Sequence, residues 1–145
     1  MSLTEEMMED YPQYDATDPR KELLYFLRES GVPFLEERDE VRFSLCQGAF
    51  QWEVVCRFAF QMVLIYSIYP FLAPKRAAAL EAANAANERL QRGSLFLSKD
   101  SLVLRVSVVL NDLYSAQESI ASALAYSASA ICYFWEKMRA CADSK

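Results

Sequence analysis

The sequence predicts a single α+β domain, a five-stranded antiparallel sheet packed against helices in the order α-β-β-β-α-β-β-α. In two groups of segments, over residues 41–69 and 94–110, apolar and polar side chains alternate as they do in half-buried strands. Segments with helical spacing of apolar side chains precede, separate and follow these groups. Only short breaks separate the strands within each group, which favours antiparallel hairpins over parallel strands with long crossovers.

The first helix is predicted between Asp18 and Gly31. Asp18 can cap the helix, Pro19 suits its first position, and Gly31 can adopt the left-handed conformation found after many helices. Its apolar stripe consists of Leu23, Leu24, Phe26 and Leu27. A polar connection follows over residues 32–40, with a short extended piece over 33–35.

Three strands follow the connection, the first over residues 41–46. The next two runs, over residues 50–58 and 60–69, have no turn residue between them. A single strand of 20 residues would exceed the usual length of about 3–10, so we place a tight reversal within residues 57–61. The shared parity of the apolar positions within each strand predicts that Val54, Leu64 and Tyr66 face the core. The same alternation places Val55, Val63 and Ile65 on the other face.

The second helix is predicted over residues 74–92, opened by Pro74 and closed by Gly93 at a positive φ. One face carries Asn84 and Asn87, which we interpret as partners for backbone groups rather than as ligand contacts. A second face is a stripe of small side chains that would let another backbone approach closely, formed by Ala78, Ala82, Ala85 and Ala86.

The last part of the domain is predicted to contain two strands and one helix. The strands, over residues 94–98 and 102–110, join through a turn at Lys99-Asp100, and a long helix follows over residues 115–140. Four of their apolar residues are expected in the core with Val54, namely Leu104, Val106, Leu124 and Ile131. One face of the sheet is richly apolar and needs helices to cover it, whereas the other is mixed and is either solvated or touches a partner.

Charge separates a tail from this domain. The net charge is −5, and the first 18 residues contain six acids and no base. We predict an acidic flexible tail over residues 1–17 and a single domain over residues 18–142. The nearly neutral domain has no basic patch, so no nucleic-acid partner is predicted. The lack of a leader-like segment, and uncharged stretches of only 17 residues, predict a cytoplasmic protein without membrane contact.

The residue types that most enzymes and metal sites use are missing or scattered. The chain has no histidine, its three glycines are isolated, and its four cysteines have no zinc-site spacing. Neighbouring acids such as Glu36 and Glu37 lie in a polar connection and are interpreted as solvated. We therefore predict a protein that is not an enzyme and that binds neither metal nor cofactor.

Residues 65–97 contain a distinctive series of positions. A strand ends in Tyr66, Ser67 and Pro70, and a helix opened by Pro74 carries Asn87 about two-thirds along. Then follow Leu90, Gly93, and Phe96 with Leu95 or Leu97. This order and spacing resembles the YbjN family of bacterial proteins, and the leading helix, the Trp52 strand and the long last helix match the layout of that family.

The resemblance implies a fold like that of type III secretion chaperones and a non-enzymatic role, described as sensory transduction regulation. No functional residues carry over with it. We expect a regulator that binds a protein partner or a second copy of itself, because the secretion chaperones work as dimers. The candidate contact residues are the predicted outward-facing set (Val55, Val63 and Ile65) and the alanine stripe. Two alternatives stay open: a small-ligand binder with a cavity beside the aromatic sheet face, and an enzyme with an unrecognised site.

Overall fold

A computed structural model describes residues 17–142 of the chain. Within this range the chain forms four helices and six strands. In chain order these are α1 (Pro19–Glu29), β1 (Leu35–Glu36), β2 (Glu40–Gln47), β3 (Phe50–Ala59), β4 (Met62–Leu72), α2 (Arg76–Asn87), β5 (Ser94–Ser98), β6 (Ser101–Val109), α3 (Ala116–Tyr133) and α4 (Trp135–Ala142). The predicted acidic tail lies outside the described residues, apart from Thr17.

The strands form one antiparallel sheet in the order β1-β2-β3-β4-β6-β5. The predicted α+β class and the predicted hairpins are therefore confirmed. The sheet has six strands rather than five, because Leu35 and Glu36 pair with β2 inside the predicted connection. Arg20 of α1 holds this piece in place through Glu36 Oε2, at 2.9 Å, and through the carbonyl of Arg38, at 3.0 Å. A two-residue strand is too short to give a periodic sequence signal.

The first helix has the predicted ends. The Asp18 carboxylate accepts hydrogen bonds from the backbone N–H groups of Arg20 and Lys21. At the other end, Gly31 has a φ of +70°, and the N–H groups of Gly31 and Val32 reach back to Arg28 and Leu27. This pattern satisfies carbonyls that the last turn would otherwise leave without partners.

The core lies between the helices and one face of the sheet. It includes Val54, Leu104, Val106, Leu124 and Ile131, as predicted. The predicted positions of Leu64 and Tyr66 are wrong, since both are only partly buried and lie on the other face. The core face of β4 instead consists of Val63, Ile65, Ser67 and Tyr69.

The error arises at the reversal between β3 and β4. Two residues, Phe60 and Gln61, form the turn, and Ala59 pairs with Met62. Across this two-residue loop each odd-numbered residue of β3 pairs with an even-numbered residue of β4, and paired residues share a face. The core-facing positions are therefore even-numbered in β3 and odd-numbered in β4. Val63 and Ile65, expected on the outward-facing surface, are therefore in the core and fully buried.

The second helix ends earlier than predicted. It stops at Asn87, and Gly93 lies beyond it with the predicted positive φ of +77°. The backbone N–H groups of Gln91 and Arg92 donate to Tyr126 Oη at 3.0 and 3.1 Å, so these residues leave the helical hydrogen-bond pattern. The long last helix is likewise divided, at Phe134, into α3 and α4.

Candidate interaction surface on the outer sheet face

The face of the sheet opposite the helices, called here the outer face, has two halves of different character. On β2 and β3 its side chains are mostly charged or polar, and on β4, β5 and β6 they are mostly apolar. The apolar half-face is formed by Met62, Leu64, Tyr66, Ile68, Phe96, Val103 and Val109, together with Arg105 and four serines, Ser94, Ser98, Ser101 and Ser107. The strand register thus places a contiguous apolar area on a surface without a helix above it.

The two halves meet along a row of paired residues. Arg42 pairs with Val55, Val55 with Tyr66, and Tyr66 with Arg105. Neighbouring side chains alone bury Val55 to 6% exposure and Val103 to 5%. A shallow groove of about 300 Å³ crosses this row, and its floor includes Val55, Tyr66, Ile68, Phe96 and Val103. Such a groove offers apolar contacts with a charged margin on one side.

Arg42 organises the charged half of the outer face. Its Nε lies 2.5 Å from Glu40 Oε2, and its Nη1 lies 2.7 Å from Glu53 Oε1. The hydrogen bond with Glu53 is the main cause that raises the pKa of the Arg42 guanidinium; desolvation lowers this pKa by less, and the charge of Glu40 raises it further. Arg57 adds a longer contact of 3.4 Å to Glu40. This ion-pair network compensates the burial of the Glu40 carboxylate, whose Oε2 has no aligned hydrogen bond.

The predicted contact residues are not brought together. Val55 lies on the outer face, as expected, but Val63 and Ile65 belong to the core. In the alanine stripe Ala78 and Ala85 are exposed, Ala82 is half-buried and Ala86 is buried. A side chain of the same chain contacts the stripe, since Cys141 Sγ of α4 lies 3.6 Å from the carbonyl oxygen of Ala78.

The mixed second face was predicted from the sequence, but with the wrong residues on β4. Its principal residues on β4 are Leu64, Tyr66 and Ile68, and the first two were assigned to the core side of the predicted strand. The sequence signal for apolar area on the second face is that the even-numbered and the odd-numbered residues of β4 are both mostly apolar. A strand that is apolar on both sides within a hairpin sheet indicates that the second face also carries apolar area.

Asn87 has the structural role that the sequence predicted. Its Nδ2 donates to the carbonyl of Leu95 at 3.0 Å, and its Oδ1 accepts from the N–H of Leu95 at 2.7 Å. The N–H and the carbonyl of Leu95 face away from β6, toward the side of β5 that has no neighbouring strand. The Asn87 amide therefore takes the place that a further strand would occupy. Asn84 is exposed instead.

The aromatic side of the sheet is filled rather than open. Trp135 stacks on Phe50 at a centroid distance of 4.5 Å and makes edge contacts with Tyr69 and Phe71 at 5.4 and 5.7 Å. The hydroxyl of Tyr69 donates to the carbonyl of Ile131 at 2.8 Å. The small-ligand alternative requires a cavity in this region, and these side chains fill it.

Between residues 17 and 142, His, Cys, Asp and Glu side chains form no group of three that could hold a metal ion. None of the helices in that range combines the length and apolar character needed to cross a membrane.

The fold and this surface define a class of protein: an α+β domain whose antiparallel sheet has helices on one face and a partly apolar, helix-free second face. Among solved structures, the chain is similar to YbjN from E. coli, described as a candidate transcription regulator. The TM-score is 0.61 at 18% sequence identity, and the match covers 83% of this chain and 90% of that chain. The predicted resemblance is thereby confirmed for the fold. No protein-family model matches the chain, and no curated protein does.

Proposed function

We propose that the protein is a non-enzymatic regulator that works by binding another polypeptide, a partner protein or a second copy of itself, through the outer face. The observation that carries this proposal is the apolar half-face. Contiguous apolar area that the fold leaves uncovered is typical of protein–protein contact sites. The YbjN fold supports the proposal, since the similar structure is described as a candidate regulator.

The arrangement of the face suits a polypeptide. Tyr66 and Phe96 are aromatic residues of the kind enriched in interfaces, and they lie on β4 and β5, the two strands that flank β6 in the apolar half-face. The ion pairs around Arg42 border this area and give a partner polar groups for orientation. An interface of this type combines an apolar centre with a charged margin.

Site-specific photo-crosslinking tests the proposal. A benzophenone amino acid is placed at Tyr66 in one variant and at Tyr114 in the matched control, because Tyr114 is 93% exposed and lies outside the outer face. After irradiation in the cells that encode the protein, we expect an intermolecular adduct from position 66 and none from position 114. An adduct of twice the chain mass identifies a second copy. Equal adducts from both positions, or no intermolecular adduct from position 66, would contradict the proposal.

A further inference from the structure

The apolar half-face contains one charged side chain, and this side chain has no ion-pair partner. Among the outward-facing residues of β4, β5 and β6, only Arg105 is charged. None of the carboxylates between residues 17 and 142 lies within ion-pair distance of its guanidinium. Burying an arginine without an opposite charge is costly. A polypeptide that covers this half-face therefore has to bring a carboxylate to Arg105 along with apolar side chains.

A suitable carboxylate lies on the charged half of the same outer face. Glu53 of β3 has an exposed side chain, and its Oε1 lies 2.7 Å from Nη1 of Arg42. An ionised carboxylate has about four lone-pair sites, so Glu53 can accept from a second guanidinium without losing Arg42. Within one molecule β4 lies between the strands of Glu53 and Arg105. The two groups can therefore complement each other across an interface between two copies of the chain.

The strand order places these two groups on opposite sides of β4. Its neighbours β3 and β6 each lie about 4.8 Å away. Tyr66 of β4 pairs with Arg105 on one side and with Val55 on the other, and Glu53 is about 7 Å from Val55 along β3. A two-fold axis along β4, midway between two facing sheets, exchanges the positions of β3 and β6. Arg105 of each copy then lies over Val55 of the other copy, beside Glu53.

The other outward-facing positions fit the same axis. The outward-facing side chains of β4 are apolar, and they meet the same side chains of the second copy, which forms an apolar centre. Each row of paired residues lies over the same row of the second copy, so Arg57 meets Ser107 rather than Arg105. Across β2 to β6, no charged residue of the outer face lies directly opposite a like charge. The face is thus compatible with itself, since like charges in contact would oppose the pairing.

The outer face is also large enough for a stable pair. Strands β2 to β6 lie side by side over about 24 Å and average about 28 Å in length. The face therefore covers about 700 Å² per copy, close to the ~800 Å² that a standard interface buries on each partner. Antiparallel sheets commonly pack face to face, with the side chains of both inner faces filling a layer about 10 Å thick. A second copy matches the face in area as well as in charge.

We propose that two copies of the chain pair through their outer faces about a two-fold axis along β4, with Arg105 of each copy bound to Glu53 of the other. This inference rests on the proposed function, because it names the polypeptide that the same surface binds. The two reciprocal ion pairs fix the register of the facing sheets, and Tyr66 of one copy meets Tyr66 of the other at the axis.

Charge exchange between the two positions tests the inference. One variant is Arg105→Glu and the other is Glu53→Arg, and each is studied alone and in an equimolar mixture. Alone, Arg105→Glu brings two pairs of carboxylates together, and Glu53→Arg brings two pairs of guanidinium groups together. In a mixed pair the two changed positions face each other with opposite charges, and so do the two unchanged positions. The matched control is Lys137→Glu, which makes the first charge change at an exposed position of α4.

Analytical ultracentrifugation of the purified full chain measures the dissociation constant of the pair. We expect the wild type and Lys137→Glu to sediment as dimers. Each of the other two variants alone should raise the dissociation constant roughly tenfold or more, because like charges replace the ion pairs. The equimolar mixture should recover the dissociation constant of the wild type, and native mass spectrometry should find one chain of each kind. Recovery on mixing cannot come from a structural effect within one chain.

A wild-type monomer would overturn the inference, as would a dimer that both variants leave intact or a mixture that does not recover. If Glu53→Arg loses its fold with the ion pairs of Arg42, a benzophenone at Tyr66 of the purified protein decides instead. The adduct should then join two chains at β4 of the second copy, and a crosslink mapped elsewhere would contradict the axis. A wild-type monomer that gives an adduct with a different protein in cells overturns this inference alone, and the proposed function stands.

Discussion

Gly93 and Gly48 both have a positive φ, but their surroundings differ. A Cβ added at Gly93 would lie 2.3 Å from the carbonyl oxygen of Arg105, whereas nothing lies within 4 Å of one added at Gly48. We expect Gly48→Ala to cost about 1 kcal/mol for the left-handed backbone alone. Gly93→Ala should cost about 3 kcal/mol or more, because β6 must also shift. Urea denaturation measures both, and equal losses would contradict the close contact at Gly93.

Asn87 also acts at the scale of a single residue. Its amide is the partner of both backbone groups of Leu95, and the pair is partly buried. We expect Asn87→Ala to lower the free energy of unfolding by about 1–3 kcal/mol, because the Leu95 groups lose their partners. Asn84→Ala, at an exposed position of the same helix, is the control and should leave the stability almost unchanged. Thermal unfolding of the two variants makes the comparison, and a similar melting temperature for both would refute the role of Asn87.

At the scale of elements, the β3–β4 hairpin determines which residues are buried. The two-residue turn places Ile65 in the core and Leu64 on the outer face. We expect Ile65→Ala to cost about 2–5 kcal/mol, and Leu64→Ala substantially less because its site is open to solvent on one side. Chemical denaturation of both variants measures the difference. A larger loss for Leu64→Ala would show that the opposite set of β4 residues faces the core.

The same hairpin shows which structural features can be predicted from the sequence and which cannot. Periodicity and turn residues were enough for the ends of α1 and for the turn at Lys99-Asp100, because capping and turn chemistry are local. Which of the two alternating sets of β4 side chains faces the core depends on whether the turn contains an even or an odd number of residues. Phe60 and Gln61 are not typical turn residues, so that number has no clear sequence signature. With β4 apolar on both sides, hydrophobicity could not decide the facing either, so the mixed outer face was predicted with the wrong residues of β4.

At the scale of the whole molecule, the order in which the four cysteines react with a thiol reagent shows which parts of the domain unfold locally and which only with global unfolding. Cys46 is exposed, whereas Cys56 is fully buried and its burial raises the pKa of its thiol. Because the thiolate is the reactive form, we expect Cys46 to be labelled first by a thiol reagent at mildly alkaline pH. Cys56 should be labelled last, at the rate of global unfolding. Mass spectrometry of a labelling time course gives the order, with protein in denaturing urea as the control. Early labelling of Cys56 would show that the sheet opens locally.

The closure of β5 by Asn87 limits the kinds of assembly that this molecule can build. Sheets that join edge to edge can add one copy after another without end, which is the geometry of fibres. At the β5 edge the Asn87 amide already occupies the middle of the strand, so a neighbouring chain finds no free Leu95 groups to pair with. Under the proposed function, contact between two outer faces would instead join surfaces that are used once each. Such a pair would stop at two bodies, so an apolar surface would be compatible with complexes of finite size.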